Sequence, residues 1–431
     1  MEQSMQNNLQ WFRLDNAAKI YPPAQTKHWM AMFRLSATLT EQVDVQILEQ
    51  ALHSTLQRFP SFACRLRSGL FWYYFEHIDG IPPIEKDVRN PMAHIRMKEN
   101  KHFMFRVRYY ENRIAVEYFH ALTDGTGGLT FLLSLVREYL RIRYDANIPT
   151  GRFLLDTEDL PTADEYEDSF LKFARKETIS RAEEAAYHPC GTALPLHQVL
   201  LTSGTVPTDR LIELAKSYHV SVGVFLTAVL IQSIAQKQKT ESTKAKRRLP
   251  IKVSVPVNLR RFYPTNTLRN FALYVNPGIQ SRLGEHSFEE ILVQVKSLMD
   301  AQITEKQLNG RFSENVATER NLLIRLAPLF IKKPLLRFFR YWQGDRYIST
   351  TLSNLGNVDL PEEMSTYVKR LDFLLGQSSD QRTVCACISY GNQTVLNFSR
   401  TFAEPDIERG FFTTLVRMGI PVKIESNGRC L

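Results

Sequence analysis

The sequence predicts a mixed α/β protein built from two lobes, and three observations lead there. Short β-branched and aromatic runs bounded by turn residues are interspersed with segments of helical periodicity. The two halves of the chain carry comparable inventories of both kinds of element. With 431 residues, the chain also exceeds what one ordinary hydrophobic core organises.

Residues 28–38 read as the first long strand. Asp44 is placed to cap a helix that carries Ile47, Leu48, Ala51, Leu52 and Leu56 on one face and ends before Pro60. Strands follow at Phe62–Leu66 and Leu70–Ile78 around Ser68-Gly69. A hairpin joins Met104–Tyr110 to Arg113–Phe119 through Glu111-Asn112. A helix then carries Leu129, Leu132, Leu133, Val136 and Leu140. From about Asp145 to Val206 the periodicity weakens and prolines accumulate, although the charged stretch Ala163–Ala186 is expected to be helical. This crossover puts the boundary near residue 185, giving subdomains of residues 1–185 and 186–431. In the second half, helical periodicity runs over 209–236 with a hinge at Val220-Ser221, followed by a strand over 251–257. Helices are predicted at 287–302, 313–331, 335–342 and 405–418. Strands are predicted at 347–352, 367–374, 384–390 and 394–398.

Hydrophobic residues make up 44% and charged residues 23%, the balance of a soluble globular protein. The net charge of +9 fits a basic surface or attraction to a polyanionic ligand such as a phosphorylated cofactor. A nucleic-acid partner is not expected, because neither zinc-ligand spacing nor an RNA-binding aromatic motif accompanies the charge. Five cysteines without a C-x-x-C pair read as reduced thiols, and Cys385 and Cys387 alternate as packing residues on one strand face. The polar N-terminus lacks the apolar core of a signal peptide, and the longest apolar stretch, near 220–234, falls short of a membrane span. The expected location is cytoplasmic.

Chemistry concentrates in Tyr118-Phe119-His120-Ala121-Leu122-Thr123-Asp124-Gly125-Thr126-Gly127-Gly128. The histidine stands at a strand end and the aspartate four residues later in a glycine-rich turn that opens a helix. A histidine at such a junction can face a cleft and take a proton from a hydroxyl or amine near neutral pH. No G-x-S-x-G elbow, no cysteine in an acyl-enzyme motif, no Walker lysine and no metal-ligand spacing accompanies it.

His120-Ala-Leu-Thr-Asp124-Gly125 resembles the H-x-x-x-D-G motif of the chloramphenicol-acetyltransferase-like superfamily. That superfamily includes nonribosomal-peptide condensation domains, plant acyl-CoA-dependent acyltransferases and alcohol acetyltransferases. Further stretches resemble it in the same order. Ala51–Pro60 with Ala63–Leu66 is similar to its first helix and following strand, and Leu211–Val229 to the helices opening its second half. Pro256-Val257-Asn258-Leu259-Arg260, with Asn270-Phe271, is similar to its arginine-bearing strand end. Ser353-Asn354-Leu355-Gly356 is similar to a late S-N-x-G segment. The opening Trp11–Pro22 resembles the start of alcohol-acetyltransferase-like proteins. Many members carry a second histidine where Phe119 stands, but the catalytic one in the family is the following histidine, so His120 keeps its place.

The resemblance implies two chloramphenicol-acetyltransferase-like subdomains, each a mixed sheet with helices, and an active-site channel between them. It makes His120 the general base of an acyltransferase that moves an acyl group from acyl-CoA to an alcohol in a ternary complex. Asp124 and Gly125 would support the site, with Arg260 pairing to Asp124. Ser353 and Asn354 are candidates for the oxyanion or channel. Lys244, Lys246, Arg247 and Arg248 are candidates for coenzyme A phosphates, although charged loops are more often simply solvated. No bound cofactor and no metal are expected, and acyl-CoA or an acyl carrier thioester would serve as co-substrate. A small alcohol or amine is the expected acceptor, a carrier protein is an alternative donor partner, and the chain is expected to be a monomer. A condensation-type enzyme and a catalytically silent ligand-binding relative are the alternatives.

Overall fold

The computed structural model describes residues 10–25, 30–179, 183–241, 243–334, 345–376 and 381–428. Two large sheets organise it. The first has five strands in the order Val368–Leu375, Met32–Leu39, Arg113–Phe119, Phe105–Tyr110 and Ile84–Lys86, antiparallel except at the last pair. The second runs Ala272–Val275, Ile251–Asn258, Thr350–Asn357, Thr383–Tyr390, Gln393–Arg400, Leu200–Pro207 and Lys423–Ser426, with Gly278–Ile279 added beside Ile251. Thr350–Asn357 lies parallel to both of its neighbours. A small third sheet joins Trp11–Arg13, Tyr73–His77 and Cys64–Ser68. Each large sheet backs onto its own hydrophobic core.

Local chemistry sets the elements that frame the site. Asp44 caps the Val45–Arg58 helix by accepting from the backbone N–H groups of Gln46 and Ile47 at 2.9 and 3.2 Å. This helix packs through Leu48, Ala51 and Leu52, all fully buried, against the Gly125–Tyr144 helix. Between Phe105–Tyr110 and Arg113–Phe119, Glu111 takes a positive φ of 49°, which gives the hairpin its tight reversal. Thr208–Ser217 and Val222–Lys239 are separate helices bent by 83° at the expected hinge, with Ser221 capping the second. No single helix among the described residues is long and apolar enough to cross a membrane. Cys64, Cys385 and Cys387 are free and buried.

Several expectations need correction. Of the expected helix 163–186, the described residues 163–179 do not form one: they contain a short turn at Ala163–Tyr166 and the five-residue helix Ser169–Phe173, and Ala174 is already extended. Two of its acidic residues act as tethers. Glu165 forms a two-bond ion pair with Arg58, and Asp168 accepts from the Asn16 backbone at 3.0 Å. The helix expected over 313–331 begins at Glu305, where Thr304 caps it. It stops at Arg320, because Asn321 leaves helical geometry and caps the short Leu322–Leu326 turn. The run 335–342 lies outside the described residues. Residues 186–431 do not stay on one side. Val368–Leu375 leaves the second lobe and pairs with Met32–Leu39, and Val368, Leu371 and Phe373 are buried in the first core. Edge-strand pairing satisfies more backbone there than a solvated edge would.

On the face of the first sheet opposite its helices lies a buried ion network. Glu117, fully buried, accepts from Arg34 at 3.0 Å, Arg106 at 2.5 Å and the Met92 backbone at 3.0 Å. Arg34 also holds Asp87. Burial by itself would raise the Glu117 carboxyl, but Arg106 and Arg34 outweigh it and hold the group below the usual carboxylate range. Burial likewise opposes Asp87, yet Arg34 and Arg113 bring it down to about 2. Groups depressed in this way stabilise the fold above their unfolded pKa and lose that contribution as pH falls through the folded value. Thermal stability should therefore fall as pH is lowered from about 4.5 toward 2. Glu117→Gln, by leaving arginines underpaired, should cost roughly 3–5 kcal/mol at neutral pH. Melting curves across pH for both proteins check this, and a variant as stable as wild type would contradict the assignment.

Candidate active site

His120 directly follows the Arg113–Phe119 strand, and its backbone N–H bonds to the Ala31 carbonyl at 2.8 Å, anchoring it to the sheet. Its ring stacks on Tyr21, with centroids 4.7 Å apart and planes 20° apart, and meets the edge of Phe33 at 5.1 Å. The residue is only partly buried. Nδ1 lies 3.1 Å from Asn270 Oδ1, contributed by the other lobe. The Asn270 amide nitrogen donates to the fully buried Asp15 carboxylate at 3.2 Å, which orients the amide oxygen toward the histidine. An oxygen facing Nδ1 requires a proton there, so this network places the proton on Nδ1 and leaves the lone pair on Nε2. Nε2 has no hydrogen-bond partner among the described residues. Burial shifts the His120 pKa below its ordinary value of 6.5. Hydrogen bonding to its own backbone, the Asp124 charge, Asn270 and Asp15 only partly offset this. The imidazole is therefore neutral at physiological pH.

Asp124 does not orient His120, because its carboxylate is committed elsewhere. Oδ1 accepts from the backbone N–H groups of Thr126 and Gly127 at 3.1 and 3.0 Å, capping the Gly125–Tyr144 helix. Oδ2 accepts from Arg260 Nη1 at 2.8 Å and the Phe271 backbone at 2.9 Å. Arg260 completes its fork on the carbonyls of Thr267 and Arg269. Thr123 Oγ1 donates to the Leu268 carbonyl at 2.6 Å, and Asn258 Nδ2 donates to Thr126 Oγ1 at 3.1 Å. Residues 258–271 of the second lobe thus clamp the loop that follows His120. Glycine is required at 127, because a Cβ there would lie 2.1 Å from the Leu268 carbonyl oxygen and 2.2 Å from Thr123 Oγ1. At Gly125 the space is taken by Leu355, whose Cδ2 would stand 2.9 Å from an added Cβ.

Leu355 belongs to the Thr350–Asn357 strand, so the Ser353–Gly356 segment reaches the same junction. Asn354 Oδ1 is occupied by the Gly356 backbone N–H at 2.8 Å. The partly buried Ser353 hydroxyl has no hydrogen-bond partner among the described residues, which leaves it free to donate. Lys244, Lys246, Arg247 and Arg248 are not brought beside His120. They precede the Ile251–Asn258 strand, whose far end carries Asn258, about 23 Å away at 3.3 Å per residue. Lys246 already faces Glu241 at 3.5 Å. Among the described residues no group of three histidine, cysteine, aspartate or glutamate side chains is placed to hold a metal ion.

The aromatic run 71–75 divides in a way its alternation does not reveal. Phe75 is buried, whereas Phe71, Trp72, Tyr73 and Tyr74 line a cavity of about 730 Å³ together with residues of the N-terminal segment, including Lys19. Tyr21, Phe33, Asp15 and Asn270 are site residues that motif reading did not assign. Asp15 and Asn270 are 255 positions apart, and nothing local in either stretch reports the other.

No family model and no curated protein matches this sequence. Solved structures do match. TRI101 of F. graminearum, crystallised with coenzyme A and deoxynivalenol, superposes with a TM-score of 0.62 at 12% identity, covering 97% of this chain and 100% of that one. Polyketide synthase associated protein 5 from Mycobacterium tuberculosis gives 0.58 at 13% identity, covering 94% and 96%. The condensation domain of the polyketide synthase MokA gives 0.58 at 10%, covering 95% and 96%. At these identities the likeness shows the fold, which is shared with these acetyltransferase and condensation-domain structures. It spans essentially the whole chain, with the H-x-x-x-D-G loop at the lobe junction.

Removal of the interlobe clamp should be visible as lost stability. Arg260→Ala leaves Asp124 Oδ2 short of a charged partner and two carbonyls without donors, at a cost of roughly 2–4 kcal/mol. Gly127→Ala should be at least as damaging, since backbone must move to admit the methyl. Denaturant unfolding of both variants checks this, and an Arg260→Ala midpoint equal to wild type would show the clamp to be dispensable.

Proposed function

We propose that this protein is an acyltransferase that moves an acyl group from an acyl-CoA thioester to an alcohol, with His120 as general base. The observation that carries the reading is the Asp15–Asn270–His120 relay, which holds a neutral imidazole with its lone pair on an unencumbered Nε2. In the proposed reaction, Nε2 takes the proton of the acceptor hydroxyl as that oxygen attacks the thioester carbonyl. The tetrahedral intermediate then collapses, the C–S bond breaks, and the Nε2 proton passes to the departing thiolate. No covalent acyl-enzyme is required. Asn270 acts as a positioning residue, and Asp124 and Arg260 hold the loop that presents the imidazole. Ser353 and Asn354 are both candidates for the oxyanion, because the Ser353 hydroxyl and the Asn354 Nδ2 donate to no other described residue.

The fold likeness supports the donor class, since TRI101 was crystallised with coenzyme A and trichothecenes. The likeness to a condensation domain supports a second reading, in which a carrier protein delivers the thioester. Free acyl-CoA would then give little turnover.

Thiol release from a panel of acyl-CoA donors, with and without alcohols, tests the proposal. Acceptor-dependent release should fall by roughly a hundred- to ten-thousand-fold in His120→Ala. Equal release by both proteins would end the general-base assignment. Because the proton-free imidazole is the active form, the rate should drop as pH falls through an inflection below 6.5, the ordinary histidine value. Asn270→Ala should lower kcat roughly 10–100-fold with little change in KM and should move the inflection further toward acid, because Asn270 stabilises the protonated ring. A structural role alone would leave the pH profile in place.

A further inference from the structure

The segment that closes the aromatic cavity carries a surface the transferase reading does not use. Leu322, Leu323, Leu326 and Phe330 are 60–82% exposed, and Ile331 is half exposed. Monomeric soluble proteins seldom leave so many large apolar side chains clustered in the open. The segment is fixed against the aromatic strand edge. The Leu329 N–H bonds to the Leu70 carbonyl at 2.8 Å, and Lys332 Nζ donates to the Phe71 carbonyl while lying 3.6 Å above the Trp72 ring. Leu70 and Trp11, both more than half exposed, extend the apolar surface on the other side. Arg320, Arg325 and Leu326 belong to both this surface and the cavity wall, so the cavity of about 730 Å³ opens within it.

The charge of the segment identifies its partner. Between Glu319 and Asp345 the sequence holds six basic residues and no acidic one. Among the described residues, the exposed Arg320 and Arg325 and the partly exposed Lys333 form no ion pair with any carboxylate, whereas Lys332 is buried and anchors the segment. Large aliphatic and aromatic side chains projecting beside unpaired cations match the interfacial region of a bilayer. The apolar groups enter the acyl boundary there, and the cations meet anionic headgroups. We propose that residues 320–333, with Leu70 and Trp11, dock the protein on an anionic lipid surface, with the cavity mouth facing the membrane. An apolar ligand could then enter from the lipid phase without crossing water. This goes beyond the transferase assignment and does not depend on it.

Co-sedimentation with vesicles tests the docking. Wild type should bind vesicles of phosphatidylcholine mixed with phosphatidylserine, bind phosphatidylcholine alone much less, and release as salt rises toward about 0.5 M. Leu323→Glu combined with Phe330→Glu alters two exposed side chains outside the cavity wall. It should weaken partitioning about a hundredfold through lost apolar burial and added negative charge. Its melting temperature and its thiol release with soluble substrates should stay unchanged. No wild-type binding to mixed vesicles, or equal binding by variant and wild type, would overturn the proposal. So would a wild type that is dimeric where the variant is monomeric, which would assign the surface to a second copy. Capture of an acidic carrier protein by wild type, lost in the variant and without vesicle binding, would likewise overturn it.

Discussion

One buried carboxylate holds the two halves of this protein in register. Asp124 accepts four hydrogen bonds, two from the start of its own helix and two from the opposite lobe. A carboxylate this buried is tolerable only when its lone pairs are filled, so the requirement itself binds the lobes together. Charge-assisted bonds of this kind contribute roughly 1.5–3 kcal/mol each, enough to set the geometry of a loop. The loop between Phe119 and Gly125 is thereby pinned at both ends, by the sheet before it and the capped helix after it. His120 has little freedom to turn away.

A second carboxylate orients the imidazole at one remove. Asp15 is too deep to serve as a proton carrier and does not touch the imidazole. Burial raises its pKa, and Arg269 opposes that. What Asp15 fixes is the direction of an amide, and the amide fixes a tautomer. Orientation by a neutral asparagine leaves the ring less basic than a carboxylate neighbour would. That agrees with a pKa depressed by burial and only partly restored by the groups around it. Charge enters the site through positions that shape the backbone, and the imidazole of His120 is kept uncharged.

The exchange of the Val368–Leu375 strand makes the lobes inseparable as folding units. Its residues complete the first sheet while the strands on either side of it in sequence belong to the second. The lobe junction therefore consists of the exchanged strand on one side, whose Phe373 and Leu375 carbonyls accept from Asn397 and Ser399 of the second sheet, and the 258–271 clamp on the other. Leu355 packs beside Gly125 of the histidine loop across that junction, so contributions to the site come from four remote parts of the chain.

Much of this was legible in the sequence, wherever a signal is carried by neighbouring residues. Strand alternation, the Asp44 cap, the hairpin at Glu111-Asn112 and the hinge at Ser221 depend on contacts within a few positions. So does the helix that Asp124 opens. The histidine, aspartate and arginine were likewise nameable from local patterns matched to a known motif. What only tertiary structure decided are the pairings between distant segments. Asn270 and Asp15 are ordinary polar residues until folding brings them together across 255 positions. The charged run 163–179 looked helical because periodicity cannot tell a solvated face from tethers aimed at Arg58 and Asn16. The aromatic run from Phe71 to Tyr74 reads as strand, and its cavity-lining role is invisible for a related reason. Alternation reports which side chains share a face, but only the packing of other segments decides whether that face is covered.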